Sequence, residues 1–599
     1  MVWMYWMAPP PVDPSTLPPA DSTLVATPEV QDVPADEPTS LANQALPSVA
    51  AADSILAAAT QGTERLITVN TDLYEAQFST KGGTLTKFEL KEFGSGRNDG
   101  NVQLVDAERP GALGMVFTTP ASHIVDTRTL FFEPTTSAIG LDATAAAQDL
   151  TFVARLGTGE IRLTYTFTPG SYEVGFQVEK ANAATFATSD GYELLWDGAV
   201  PFSEIEIKDE AQRSGAFARS GGEIESVTVF GDEYDEQRLT GTIDWIAVKS
   251  KFFAAIVIPD EGRTRSAELI GERFGDIDNP DFTEYFQARL EMGAADGTDM
   301  FRLYMGPMDY GLLSDYDLAL YDMVDFGWDS FEWMTRPLAK YIFIPFIGFF
   351  GGVLPNYGLV IILLAVLMKA ALFPFTKSSY KSMAKMRELQ PRMEAIKEKY
   401  ADNPQKQQEA MMKMYKETGV NPIGGCLPML LQYPIIIALW QFLPQSLEIR
   451  QQGFLWAADL SAPDPILQLP FTIPFYGDFV AGFTLLMGLS MIVQMRIQMA
   501  SSVSSNPQMK IFMYFMPVMI FAIFNRFASG LSLYYLCFNV LTAVQQRFIN
   551  KSTHEEAEAA KEEEKTTRKK KGPTAAKTMR NGKASKNGAS KSARKKQKR

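Results

Sequence analysis

The chain has 599 residues, more than one hydrophobic core can organise, and its net charge of −14 is unevenly placed. Residues 1–330 hold 21 basic against 53 acidic side chains, residues 331–550 hold 18 against 11, and residues 551–599 hold 17 against 6. That distribution argues against a nucleic-acid-binding protein overall and against an ordinary soluble enzyme. Only Cys426, Cys537, His123 and His554 are present of their kinds, so no disulfide framework, metal centre, cofactor or histidine-based catalysis is expected.

Residues 1–7 are apolar and aromatic but stop at Ala8-Pro9-Pro10-Pro11. They are too short to cross a bilayer and read as the remnant of an N-terminal membrane anchor, the rest of which would lie upstream and supply a sixth span. Residues 8–60 are rich in Pro, Ala, Ser, Thr and acidic side chains without periodicity, and read as a disordered linker.

Over residues 61–327 the pattern becomes short and alternating, as in Leu66-Ile67-Thr68-Val69, Ala76-Gln77-Phe78-Ser79, Ile161 to Phe167 and Tyr172 to Val178. Gly82-Gly83, Gly157-Thr158-Gly159 and Asp296-Gly297 punctuate the runs. Period-two alternation with turn residues between predicts a large antiparallel β-sandwich.

Residues 328–350 mix Trp333, Arg336, Lys340 and Tyr341 with apolar residues, interrupted by Pro337 and Pro345. This suits an interfacial helix at a membrane surface, with a buried soluble helix as the alternative. Five apolar segments of near-spanning length follow within residues 351–548, at about 354–375, 423–443, 474–495, 509–527 and 529–548. The fold class expected is therefore a multidomain membrane protein, a periplasmic β-sandwich followed by an α-helical transmembrane bundle of five spans.

Orientation follows from the loops. Residues 376–420 carry ten basic against six acidic side chains and are expected on the cytoplasmic side, which puts the acidic β region outside the inner membrane of a multi-pass protein, in the periplasm if the envelope is Gram-negative. Within that loop Met383, Met386, Met393, Ile396 and Tyr400 recur at near-helical spacing, and Ala401 to Pro404 breaks the pattern, predicting a helical hairpin. Its methionines either pack the two helices together or offer an adaptable surface to substrates and partners. The basic tail, residues 549–599, reads as disordered and cytoplasmic, able to bind ribosomal RNA or anionic lipids, or simply to anchor the orientation.

The sharpest single signal is Lys369, set in the apolar run Leu359 to Pro374. A cation at that depth costs roughly 2.5–3.5 kcal/mol, so it is expected to face water or a polar partner, or else to snorkel towards the cytoplasmic end. Polar residues recur in the other segments: Gln432, Gln441, Ser490, Gln494, Asn525, Ser532, Tyr534, Tyr535, Asn539, Gln545 and Gln546. They either line a hydrated cavity or join helices by hydrogen bonds. No acidic residue lies in the core of the segments, which disfavours a transporter, and no GxxxxGK[ST] loop indicates nucleotide hydrolysis. A carbohydrate enzyme built on the sandwich is disfavoured by its single histidine and the lack of an evident paired-carboxylate motif.

Lys369-Ala-Ala-Leu-Phe-Pro-Phe-Thr-Lys377, Ser382 to Pro391, Val420-Asn-Pro-Ile-Gly-Gly-Cys-Leu-Pro428, Leu431-Gln-Tyr-Pro434 and Ser529-Gly-Leu-Ser-Leu-Tyr-Tyr535 follow one another in this order. Together they resemble the YidC-type membrane protein insertases, relatives of the mitochondrial Oxa and chloroplast Alb proteins, in the Gram-negative form with a large periplasmic domain. The resemblance implies a non-enzymatic insertase and chaperone with a five-helix core around a groove open to cytoplasm and lipid. It implies nascent membrane proteins, the Sec translocon and the ribosome as partners, with no small-molecule substrate. It places the family's intramembrane cation, usually arginine, at Lys369. It also sets Gln494 and Tyr535, with Tyr534 beside them, on groove-lining positions, to which Gln432 is added as a polar candidate.

Overall fold

A computed structural model describes residues 55–570 apart from 136–139, 189, 230–232, 261, 278–281, 294–296, 327–328, 420–426, 474–475 and 500–506. The anchor remnant at 1–7, the linker up to residue 54 and the tail beyond 570 lie outside the described residues.

Alternation in the sequence becomes alternation in burial. In the strand Gly159–Phe167, Ile161, Leu163, Tyr165 and Phe167 are buried while the residues between them are half-buried. The ring of Tyr165 packs 4.7 Å from those of Phe78 and Phe176, tying neighbouring strands into one core. Among the described residues the strands form three large sheets. One runs from Glu223–Val227 through Ile243–Lys249, Phe253–Pro259, Gly297–Pro307, Glu173–Ala181 and Gly159–Phe167 to Glu133–Pro134. A second runs from Tyr234–Thr240 through Thr264–Phe274, Thr283–Met292 and Tyr192–Asp197 to Ile124–Asp126, and a third is built on Leu66–Asn70, Tyr74–Ser79 and Thr84–Gly94. The pairings are antiparallel except between Leu66–Asn70 and Gly140–Asp142. Phe253–Pro259 is buried at every residue, as befits a strand covered on both faces.

Order begins earlier than the linker reading allowed. Residues 55–60 form a turn in which Leu56 and Ala59 are buried, and the Phe131 amide donates to the Ala59 carbonyl at 2.6 Å. Leu56 and Ala59 join the apolar core and Ile55 packs against it, which holds the turn in place. Two short helices, α1 (Ile207–Ala211) and α2 (Tyr310–Ser314), complete this region.

The rest is helical apart from a two-stranded ribbon, Pro465–Ile473 and Gly477–Ala481. α3 (Asp329–Leu338) passes through a wider π turn, Ala339–Phe343, into α4 (Ile344–Gly351). Pro345 has no amide to give the carbonyl four residues back, and the π turn absorbs that gap. Trp333, Tyr341 and Phe349 are exposed along this segment.

Then come α5 (Tyr357–Glu388), α6 (Gln390–Lys399), α7 (Pro404–Thr418), α8 (Leu427–Gln445), α9 (Gly482–Met499), α10 (Pro507–Phe524) and α11 (Ser529–Lys570). Among the described residues, Tyr357–Lys377 is long and apolar enough to cross a membrane, and Gly482–Arg496 is a shorter apolar helix.

Three boundaries differ from the sequence reading. The hairpin read over 376–420 is not separated from the first apolar helix, because α5 continues past Pro374 to Glu388 before α6 and α7 pair. In that pair the Tyr415 hydroxyl donates to Met393 Sδ at 3.8 Å and Met414 is buried, so Met393 packs helix on helix. The side chains of Met383 and Met386 lie outside the described residues. The segment read as a span from 474 starts as a strand, Gly477–Ala481, and turns helical only at Gly482. The tail read as disordered from 549 is helical to Lys570, where Ala557, Ala559, Ala560 and the Glu564/Arg568 spacing favour a helix.

Candidate functional site

α5 delivers Lys369 to the side of α11. Its ammonium donates to Thr542 Oγ1 at 2.6 Å and lies 4.1 Å from the centre of the Phe538 ring. The residue is 8% exposed, and among the described residues no carboxylate pairs with it. Thr542 Oγ1 donates onward to the Phe538 carbonyl at 2.6 Å, which leaves its lone pairs free to accept from the ammonium. One turn further along, Gln545 Nε2 donates to Thr376 Oγ1 at 3.0 Å, a second polar link between the same helices. A cavity of about 630 Å³ opens beside them, walled by Val366, Phe373, Leu541, Val544 and Phe548, with Lys369, Lys377 and Gln545 as its polar members.

A second polar line joins α9 to α11. Thr484 and Ser532 hydroxyls lie 2.9 Å apart, and Asn539 Nδ2 donates to Ser490 Oγ at 3.1 Å. Along α11 the residues Ser532, Tyr535, Asn539, Thr542 and Gln546 fall at alternating steps of three and four, so they form one stripe on one face. Several buried polar atoms on these helices have no partner among the described residues: Gln494 Oε1, Tyr534 Oη, Gln545 Oε1 and both terminal atoms of Gln546.

The residues singled out from sequence divide between these lines. Lys369 lies on the α5–α11 side. Gln494 is half-buried on α9, Tyr534 is buried on α11, and Tyr535 is half-buried with its ring 5.7 Å from that of Phe524. Gln432 is half-buried on α8. Among the described residues no hydrogen bond links any two of these five. Sequence reasoning missed Thr542 and Thr376, which hold Lys369 and Gln545. The signal for Thr542 was present in the three–four spacing of the α11 stripe.

The ends of the bundle are fixed by buried polar side chains. At the start of α9, Asp464 accepts from the Phe483 amide at 2.7 Å and from Trp456 Nε1 at 2.8 Å, capping the helix. Asn525 accepts from the Ala481 amide at 2.9 Å and donates to the Phe479 and Tyr476 carbonyls at 2.7 and 3.2 Å. Here the bundle also meets the β region. Lys251 Nζ donates to the Ser461 carbonyl at 3.4 Å, Gln445 donates to the Asp325 carbonyl at 2.9 Å, and Arg450 pairs with Glu204.

Comparison with known proteins agrees in both halves. Residues 66–341 match the family described as the YidC periplasmic domain, and residues 349–557 match the 60Kd inner membrane protein family. The membrane protein insertase YidC of Pelodictyon phaeoclathratiforme is 38% identical over 518 residues, 84% of this chain and 86% of that protein. That of Chlorobaculum parvum is 35% identical over 564 residues, 94% of each. A crystal structure of an active YidC insertase with its first transmembrane domain resolved is 20% identical, covers 81% of this chain and 92% of that one, and superposes with a TM-score of 0.32. Two family matches in series, and relatives above 30% identity along most of its length, establish that the chain belongs to the YidC family of membrane protein insertases.

Proposed function

We propose that this chain helps insert, fold and assemble integral inner-membrane proteins, alone or beside the Sec translocon, through a wet and positively charged indentation in its helical bundle. The supporting observation is Lys369, a buried cation whose described partners are one hydroxyl and one ring face, accompanied by buried amide and phenol groups without partners. Such groups cost about 1–3 kcal/mol each when left dry, so they favour water or an incoming polar chain.

The mechanism needs no covalent chemistry, in keeping with a family of non-enzymatic insertases. A substrate's short polar segment enters the indentation, where Lys369 attracts its acidic groups and Gln432, Gln494, Tyr534 and Tyr535 offer hydrogen bonds. The apolar segment then moves sideways into lipid, driven by burial at about 25 cal/mol per Å² of apolar surface. The bundle only lowers the barrier for the polar part.

In this reading the five apolar segments span the membrane, the acidic β domain is periplasmic, and the hairpin and C-terminus are cytoplasmic. Ten basic residues between 376 and 420 support that orientation. Met383 and Met386 are proposed to meet substrates or partners, and the basic tail the ribosome or anionic lipids.

Photocrosslinking of stalled nascent membrane proteins tests this. Probes at 432, 494, 534 and 535 should capture the nascent chain, and probes at the lipid-side residues Leu489 and Val540 should not. Capture confined to 489 and 540 would refute the indentation as the route.

A further inference from the structure

Pro465–Ile473 and Gly477–Ala481 pair as a two-stranded ribbon that no other strand joins among the described residues. Every residue of Pro465–Ile473 is exposed except Leu469, which is half-buried. Leu467 is 58% and Phe471 62% exposed, with Ile466 and Ile473 also outside. Under the strand's two-residue period Leu467, Leu469, Phe471 and Ile473 share one wholly apolar face, while Ile466 lies on the other with Gln468, Pro470 and Thr472. From Pro465 to Gly477 the sequence holds no charged side chain, and the exposed Asp478 of the second strand is the ribbon's one charge. A lone ribbon of this composition is marginal in water and adhesive.

The ribbon is nevertheless held rigidly at its root. Asn525 binds the backbone of Tyr476, Phe479 and Ala481, and Asp464 ties the residue just before the ribbon to the first turn of α9. Trp456 stacks on Phe483 at 4.4 Å beside that root. The strand Gly477–Ala481 runs directly into Gly482, the first residue of an apolar helix. The apolar ribbon is thus continuous with the membrane-contacting surface and leaves it at the end of a helix, where tryptophan commonly marks the lipid–water boundary.

A strand from another chain would be a poor occupant. Pro470 lacks an amide, and the pairing register shifts between Pro465 and Leu467 and between Gln468 and Ile473, features that spoil an edge for further pairing. Lipid demands apolar area, which the first strand offers, and a boundary position leaves the exposed Asp478 carboxylate among hydrated headgroups. The hydrocarbon core would leave the edge backbone unsatisfied, which restricts the ribbon to the interface.

We propose that the ribbon formed by Pro465–Ile473 and Gly477–Ala481 is an interfacial membrane anchor, lying in the headgroup–acyl boundary of the phospholipid leaflet at the N-terminal end of α9. It fixes the height of the α9–α11 polar line relative to the bilayer surface.

The test uses the full chain, with Cys426 and Cys537 replaced by alanine, in phosphatidylethanolamine–phosphatidylglycerol liposomes without substrate. Single nitroxide labels are placed at 467 and 471. References are placed at Ile205, which is 71% exposed on the β region, and at Leu489, which is 53% exposed on α9. The ribbon labels should meet a water-soluble nickel chelate about tenfold less often than the label at 205, and oxygen less often than the label at 489. Nickel access equal to that at 205, with 489 still oxygen-rich, would overturn the anchor while leaving the inserted bundle and its proposed insertase role untouched. Oxygen contact equal to that at 489 would overturn an interfacial position. Protection that appears only at high protein-to-lipid ratio would assign the ribbon to a second copy and overturn the proposal too.

Discussion

Arg450 and Glu204, 246 residues apart in the chain, form a 2.7 Å ion pair in which both side chains are less than a tenth exposed. Arg450 also donates to the Gly94 carbonyl at 2.8 Å, so one guanidinium on the loop after α8 grips two places on the β region. Neither charge has water to fall back on if the other is removed.

Arg450→Ala is therefore expected to destabilise the junction by about 3–5 kcal/mol, because it strands the Glu204 carboxylate beside the buried Glu210. A lower thermal midpoint and faster proteolysis at the junction would report it. The double variant Arg450→Met with Glu204→Leu should recover most of the loss, since a buried pair is often replaceable by apolar side chains. A single variant as stable as the parent would show that the pair does not couple the two regions.

Stability should pass through a minimum near neutral pH. Burial pushes the Glu210 carboxyl up to about 7, against the pull of the Glu204 and Ser203 amides that donate to it. Burial likewise pushes Glu284 up to about 7, although Arg273 lies 3.1 Å away. Between about 4.5 and about 7 the folded chain holds protons at these sites that the unfolded chain has lost, so stability falls as pH rises through that window. Lys249 behaves oppositely. Burial lowers it to about 7, so between about 7 and 10.5 the unfolded chain binds the extra proton and stability climbs with pH. Thermal midpoints from pH 5 to 10 should trace this dip. Glu210→Gln should flatten the acid limb and Lys249→Met the alkaline one, and an unchanged profile in both would contradict the assignment.

At the bundle, Lys369→Arg should preserve insertion and Lys369→Glu should impair it for substrates with acidic translocated tails. Thr542→Val removes the hydroxyl that receives the ammonium, a loss of about 1.5–3 kcal/mol for a hydrogen bond to a charged group. It is expected to lower stability more than Lys369→Arg does. Protease protection of a reporter tail in inverted vesicles separates these outcomes. Equal activity of the Arg and Glu variants would remove charge from the mechanism.

The strands were legible because inward Ile161, Leu163, Tyr165 and Phe167 alternate with polar neighbours, and period two has one structural meaning. Lys369 was legible for the opposite reason, as a single charge in an apolar run. Its partner was not, since Thr542 is a small hydroxyl whose meaning depends on what α5 places opposite it. The Arg450–Glu204 pair was invisible for lack of any local pattern linking residues so far apart. The strand at Gly477–Ala481 was read as helix because a short apolar run satisfies either period, and Asp464 and Asn525, which decide the matter, sit outside it.

The bond between Lys369 and Thr542 also implies an order of events. The two residues are separated by 173 positions, and α11 leaves the ribosome well after α5. At about 5–20 residues per second the growing chain holds the ammonium without this hydroxyl for roughly 10–35 s, until α11 is made and docks. A member of an insertase family thus meets, in its own birth, the difficulty of lodging a charge among apolar helices.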